Sequence, residues 1–237
     1  MKPILNRVTL TGADDSIRPE ELVEISKDFP FVEWGILLSK SSTGRNRFPS
    51  FEWLEKLREF QFDLVLSGHL CGRWVRDVCE GDWSFAKEHP ELLDMFDRIQ
   101  LNFHSYLHKI EEEPFVKGLL EVQEKGRTFI FQLDDVNNEL LKVAIKSGVN
   151  ASGLFDLSGG AGVLPGEWPK QPNQTYCGYA GGLSPDNLQE QLKVIATRVS
   201  DLPVWIDAET HVRSTDDQLF DLKKCVKFLE VAKPWVA

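Results

Sequence analysis

The 237-residue chain has no uninterrupted apolar stretch long enough to cross a bilayer, and its opening, MKPILNRVTL, lacks the apolar core of a signal peptide. A cytoplasmic location without a membrane partner is therefore expected. Basic runs are absent as well: 27 Lys and Arg stand against 37 Asp and Glu, a formal charge of −10 at pH 7. A phosphate backbone would be repelled, so nucleic acid is not an expected partner. The four cysteines, Cys71, Cys79, Cys177 and Cys225, show no C-x-x-C spacing. They read as reduced thiols, not as a zinc knuckle or a disulfide frame. Neither a Walker A sequence nor G-x-G-x-x-G occurs, which removes support for a nucleoside triphosphate or a dinucleotide. No cofactor and no resident metal are called for. The sequons at Asn150 and Asn173 are read as chance matches, and no low-complexity linker divides the chain. One domain over residues 1–237 follows.

What the chain does have is a repeating rhythm of short apolar run, polar loop and amphipathic stretch. The apolar runs predict strands at Val8–Thr11, Val32–Leu38, Leu64–Ser67, Ile99–Asn102, Thr128–Leu133, Ser152–Phe155, Cys177–Ala180 and Val204–Ile206. Helices are predicted at Pro19–Lys27, Phe51–Phe60, Arg73–Cys79, Pro114–Lys125, Asn137–Lys146, Pro185–Arg198 and Asp217–Val231. Pro165, Pro169 and Pro172 break the segment after the sixth strand. Eight strands alternating with helices at this length favour a (β/α)8 barrel over an open doubly wound sheet. The segment after the third strand, about residues 70–97, is enlarged.

In such a barrel the residues past the carboxyl end of each strand face the active-site mouth. Those positions hold Thr11, Lys40, His69, Asn102 with His104, Asp134 with Asp135, Asp156, Gly181 with Gly182, and Asp207 with Glu209. Turn-forming residues gather after strands in any case, which accounts for part of this polarity. The stretch YAGGLSPDN, Tyr179–Asn187, follows the seventh strand and precedes a helix with Ser184 as its cap. Barrels often bind phosphate in the loops after strands seven and eight, and bare glycine amides suit an anion. By itself a Gly-Gly pair reads as a tight turn needing positive φ, but its position after the seventh strand tips the balance to a phosphate site.

The stretch LFDLSGGAGVLPGEW resembles the sixth-strand motif of phosphoribosylanthranilate isomerase: an aspartate, a Gly-Gly-x-Gly loop and a later tryptophan. The YAGGLSPDN stretch resembles the seventh-strand Ala-Gly-Gly-Leu-x-Pro-x-Asn of that family at Ala180, Gly181, Gly182, Leu183, Pro185 and Asn187. IQLNF is similar to its fourth-strand Val-Gln-Leu-His-Gly, with Asn102 in place of the histidine. The resemblance implies a ribulose-phosphate-binding barrel, a phosphosugar ligand and the isomerase chemistry of tryptophan biosynthesis. It casts Asp156 as general acid, and Gly159, Gly160, Gly162, Gly181 and Gly182 as holders of the substrate phosphate. It places Arg45, or Arg47 under another gap, against a substrate carboxylate. The chain departs from the pattern at the base, where Thr11 stands in place of the family's cysteine. It departs again after the eighth strand, where Thr210-His211-Val212-Arg213 replaces Ser-Gly-Val-Glu. There His211 or Arg213 would supply a side-chain phosphate contact.

A carboxyl enclosed by a barrel mouth can keep its proton near neutrality, so Asp156 suits a general acid. Thr11 cannot be the base unaided, because a hydroxyl holds its proton far above working pH. His69, His104 and Asp207 are the candidates for that role. Plainer roles exist for several of these: an Asx turn for Asp156, a helix surface for His104 and His108, and a loop lining for His69. Two other functions remain open. One is a metal-assisted barrel enzyme using His69, His104, Asp134 or Asp156, and His211; the other is a non-catalytic protein that binds a phosphoribosyl ligand.

Overall fold

The structure, a computed structural model, describes residues 3–103, 109–123, 126–133, 137–156, 161–172 and 175–237. Its strands are β1 (Leu5–Thr11), β2 (Val32–Leu38), β3 (Leu66–Leu70), β4 (Arg98–Leu101), β5 (Thr128–Leu133), β6 (Ala151–Asp156), β7 (Cys177–Ala180) and β8 (Val204–Ala208). Each pairs in parallel with the next, and β8 returns to β1, closing the (β/α)8 barrel that the alternation implies. The helices are α1 (Pro19–Asp28), α2 (Phe51–Arg58), α3 (Gly72–Cys79), α4 (Ser84–Glu88), α5 (Pro90–Leu93), α6 (Glu112–Gln123), α7 (Asn137–Lys146), α8 (Leu188–Ala196) and α9 (Leu222–Ala232). Among the described residues, no helix is long and apolar enough to cross a membrane.

The differences from the sequence reading have local causes. The third strand is displaced toward its carboxyl end, because Ser67 to Leu70 find partners on β4 from Arg98 to Leu101. The helix expected from Pro185 starts at Leu188, after a turn in which the Ser184 amide donates to Asn187 Oδ1 at 2.9 Å and the Asn187 amide donates to Ser184 Oγ at 3.2 Å. The helix expected from Asp217 starts at Leu222, since Asp217 has φ 59° and the carboxylate of Asp221 accepts from the Lys223 and Lys224 amides. No helix forms between β6 and β7 among the described residues. There Trp168 is buried, packs edge-on against Tyr179 at 5.8 Å, and donates from its indole to Gln191. The enlarged segment after β3 folds into α3, α4 and α5.

Both faces of the strands are buried, but with opposite chemistry. Val8, Leu10, Trp34, Ile36 and Ile99 pack outward against the helices in one continuous core. The inward positions carry Thr9, Thr11, Glu33, Ser67, His69, Arg98, Gln100, Gln132 and Asp207, with a small apolar cluster of Ile130, Leu154, Ala180 and Trp205. The floor of the barrel is a charged plug. Arg98 on β4 reaches Glu33 on β2 at 2.8 Å and lies 4.4 Å above the Trp205 ring on β8, contacts possible only through the barrel interior. Arg7 and Thr9 complete the set around the Glu33 carboxylate at 2.8 and 2.9 Å. Burial alone would push the Glu33 carboxyl up, but Arg98 and Arg7 hold it below its usual range. An ion pair so enclosed is held by mutual dependence, since losing one partner strands the other's charge.

Candidate functional site

Above this plug, at the carboxyl ends of the strands, lies a cavity of about 280 Å³. One wall comes from the loops after β6, β7 and β8 and is lined by Gly162, Gly181, Gly182, Thr210 and His211. Gly181 and Gly182 have φ of 115° and 65°, and a Cβ on Gly182 would lie 2.3 Å from the Leu164 amide nitrogen. Only glycine permits both the turn and that approach. The Asn187 side chain holds the turn from behind by donating to the Gly182 carbonyl at 2.8 Å. The Gly181 and Gly182 amides meet no acceptor among the described residues. His211 Nε2 lies 2.8 Å from the Gly162 carbonyl; because a carbonyl only accepts, Nε2 carries the proton. Two loops are thereby fastened together at the rim.

The centre of the cavity is acidic. Asp156 ends β6, and its Oδ2 accepts from Gln132 Nε2 at 3.2 Å. Asp207 lies within β8, where Thr11 Oγ1 donates to its Oδ1 at 2.9 Å. Ala180 sits between the two in register, so one strand, β7, separates Asp156 from Asp207. Burial pushes the Asp207 carboxyl well above the usual range, and the charges of Glu209, Asp156 and Glu33 add to this, against the Thr11 hydrogen bond. These causes favour the protonated form of Asp207. Burial also raises Glu209, against the opposing pull of Arg47, whose Nη1 contacts Glu209 Oε1 at 2.5 Å.

His69 is the only described histidine that is fully enclosed, at 1% exposure, with Nε2 3.0 Å from Ser67 Oγ. Burial lowers its pKa to about 3, with Arg98 adding to the effect and Glu33 opposing it. A ring so hard to protonate is a poor general base at pH 7. A depressed histidine pKa also means that the unfolded chain takes up a proton below about 6.5 while the folded chain does not. Stability is then full above that pH and declines as the pH falls toward 3. We expect His69→Gln to lose about 2 kcal/mol less than the native chain between pH 7 and pH 5, read by urea unfolding at both values.

The opposite wall is a relay of amides. Gln100 Nε2 donates to Asn102 Oδ1 at 2.8 Å, and Asn102 Nδ2 donates to Cys71 Sγ at 3.1 Å. Burial pushes the Cys71 thiol up to about 12, against the Asn102 hydrogen bond. Cys71 therefore does not replace the missing cysteine base at neutral pH.

Of the residues singled out from the sequence, Asp156, His69, Asp207, Gly162, Gly181, Gly182, Thr210 and His211 line this one cavity. Thr11 lies beneath it, bonded to Asp207. Arg45 does not join them: it is exposed in the loop after β2, and its backbone pairs with Phe48 in a tight turn. It is Arg47 that turns inward, to Glu209 and Asp217. Arg213 is no phosphate contact either, because its buried guanidinium is taken by Asp14, Asp217 and the Gly12 carbonyl. His104, Asp134, Gly159 and Gly160 lie outside the described residues. No group of three or more His, Cys, Asp or Glu side chains with metal-binding geometry occurs among the described residues. The sequence reading does not single out Gln100, Gln132 or Cys71 as site residues. The two glutamines were findable, since each stands an even number of residues from an inward-facing position on its strand.

A closed parallel barrel whose mouth joins a glycine wall to enclosed carboxyls defines the class: a (β/α)8 barrel with its site at the carboxyl ends of the strands. No family model matches the sequence, and no curated protein is significantly similar to it. Among solved structures, the chain is similar to phosphoribosyl anthranilate isomerase from Thermotoga maritima, with a TM-score of 0.57 and 14% identity over 97% of this chain and 100% of that one. A phosphoribosyl anthranilate isomerase in complex with reduced 1-(o-carboxyphenylamino)-1-deoxyribulose 5-phosphate matches with the same score, identity and coverage. The 3-keto-L-gulonate-6-phosphate decarboxylase from Vibrio cholerae matches at 0.55 and 9% identity over 100% of both chains. At these identities the likeness establishes the barrel fold.

Proposed function

We propose that the protein is a barrel enzyme that isomerises a phosphorylated sugar by acid–base proton transfer, in an Amadori-type or related aldose–ketose reaction. The observation that carries this reading is that the bare amides of Gly181 and Gly182 and the carboxyls of Asp156 and Asp207 line one cavity. The amides would hold the phosphate without a cationic side chain. The carboxyls would move protons at the sugar's reducing end. Burial and the neighbouring negative charges of Glu209, Asp156 and Glu33 favour a proton on Asp207. Asp207 stores it, and Asp156, open to the cavity, exchanges it with the substrate.

In the Amadori case, the bond between the anomeric carbon and the ring oxygen breaks as that oxygen takes a proton, and the amine lone pair forms a C=N bond. Loss of the proton on the adjacent carbon gives an enolamine, which tautomerises to the ketone. Both proton movements need only an acid and its conjugate base, the two states through which a carboxyl pair cycles. Thr11 serves here by donating to Asp207, not by taking a proton. The phosphosugar named with the barrel neighbour supports the same ligand class.

The test is to incubate the protein with ribose 5-phosphate in heavy water and follow the sugar by proton NMR. The expected result is deuterium uptake on the carbon next to the anomeric centre, suppressed by inorganic phosphate. Absence of any phosphate binding would overturn the reading.

A further inference from the structure

The Cys71 thiol donates to the His69 carbonyl at 3.5 Å, so toward Asn102 it accepts, and the directions in the amide relay on the β3–β4 wall follow from that. Asn102 Nδ2 is spent on Cys71, so Asn102 presents Oδ1 to Gln100, and Gln100 must answer with its Nε2. The Gln100 carbonyl oxygen is then left over, in a side chain that lines the cavity. It is buried, in a side chain only 4% exposed, and has no hydrogen-bond partner among the described residues. A buried acceptor left unmatched is costly, and a ligand donor is the natural way to satisfy it.

The charges around it point the same way. Among the described residues no Lys or Arg lines the cavity, and its acidic side chains are Asp156, Asp207 and Glu209. Arg47, beside the rim, is committed to Glu209 and Asp217. A ligand carboxylate on this wall would meet an acceptor oxygen and no Lys or Arg among the described residues. The barrel neighbour's ligand carries a carboxyphenylamino group, and no Lys or Arg among the described residues lines this cavity to meet its carboxylate.

Resting on the phosphosugar reading, we propose that the Gln100 carbonyl is the specificity-determining contact of the site, and that the end of the sugar phosphate remote from the phosphate carries a hydrogen-bond donor, hydroxyl or amino, and no carboxylate. Asn102 is the positioning residue that keeps the Gln100 amide from turning over.

A matched pair of probes tests this on the native chain by calorimetry. Ribose 5-phosphate offers hydroxyl donors at its reducing end, whereas 5-phosphoribonate has the same length and ends in a carboxylate. Ribose 5-phosphate is expected to bind at least about tenfold more tightly. Gln100→Leu is expected to weaken ribose 5-phosphate about tenfold while leaving the affinity for inorganic phosphate unchanged. Asn102→Leu frees the amide to turn and is expected to narrow the gap between the two probes. If 5-phosphoribonate binds as well as ribose 5-phosphate to the native chain, or if Gln100→Leu, folded by circular dichroism, binds ribose 5-phosphate as the native chain does, this inference falls and the phosphate site stands. If inorganic phosphate does not bind at all, the phosphosugar reading and this inference fall together.

Discussion

Asp156→Asn is expected to lower turnover about 10²–10⁴-fold while leaving phosphate affinity unchanged, the loss typical of removing a group that transfers a proton in the transition state. Asparagine keeps the size of the side chain and the Gln132 contact can re-form by amide rotation, so what is lost is the exchangeable proton. Steady-state kinetics on the identified sugar phosphate, together with phosphate titration, separate the two quantities. A variant that keeps full turnover would remove Asp156 from the chemistry.

Asp207→Asn provides the contrast that separates the proton store from the group that meets the substrate. Turnover is expected to fall here too, but stability should rise. The Asp207 carboxyl is raised in the folded chain by burial and by neighbouring negative charge, whereas in the unfolded chain it ionises above about pH 3.8. The folded state therefore binds the extra proton over that interval, and stability falls as the pH rises from about 3.8 toward the folded pKa. Asparagine removes this cost while still accepting from Thr11. Unfolding midpoints of the variant and the native chain should nearly coincide at pH 4 and separate by pH 8, with the variant the more stable. Such a trade between stability and activity is expected where a carboxyl is held out of water for its chemistry.

Gly182→Ala is expected to have the largest effect on binding. A non-glycine residue at φ 65° costs about 1–2 kcal/mol in the left-handed region. Its methyl would also lie 2.3 Å from the Leu164 nitrogen and 2.6 Å from the Val163 carbonyl carbon, so the loop after β6 has to move away. Because that loop carries Gly162, the wall opens and the amides lose their common focus. Phosphate affinity should fall by more than tenfold, and the melting temperature should drop. Gly148→Ala supplies the control: φ is 93°, yet no atom lies within 4 Å of the added methyl, and the position is exposed after α7. It should cost stability through backbone strain alone and leave phosphate binding intact.

The positions of the strands could be read because apolar runs bounded by turn residues are a local property. Val32–Leu38, Thr128–Leu133 and Cys177–Ala180 coincide with β2, β5 and β7. The glycine wall could be read for a related reason: Gly181 and Gly182 signal a backbone conformation that few other residues adopt. His69 and Asp207 were read as lying past the ends of their strands, but both lie within them, facing the barrel interior. Strand length depends on partners, and the partners of β3 and β8 are far away in sequence. Arg45 and Arg47 could not be told apart by spacing, because the choice depends on Glu209 and Asp217, more than 160 residues further along.

By itself, the sequence determined the alternation of strands and helices, the closure into eight, and the residue types at the mouth, all of which follow from short-range periodicity and backbone preference. Only the tertiary structure decided the protonation of those residues. Enclosure favours the protonated form of Asp207 and the neutral ring of His69. The Asn102–Cys71 contact leaves Gln100 one orientation, with its carbonyl free. The physical reason is that desolvation and hydrogen-bond direction are set by neighbours on other strands, whose distance the order of residues does not state.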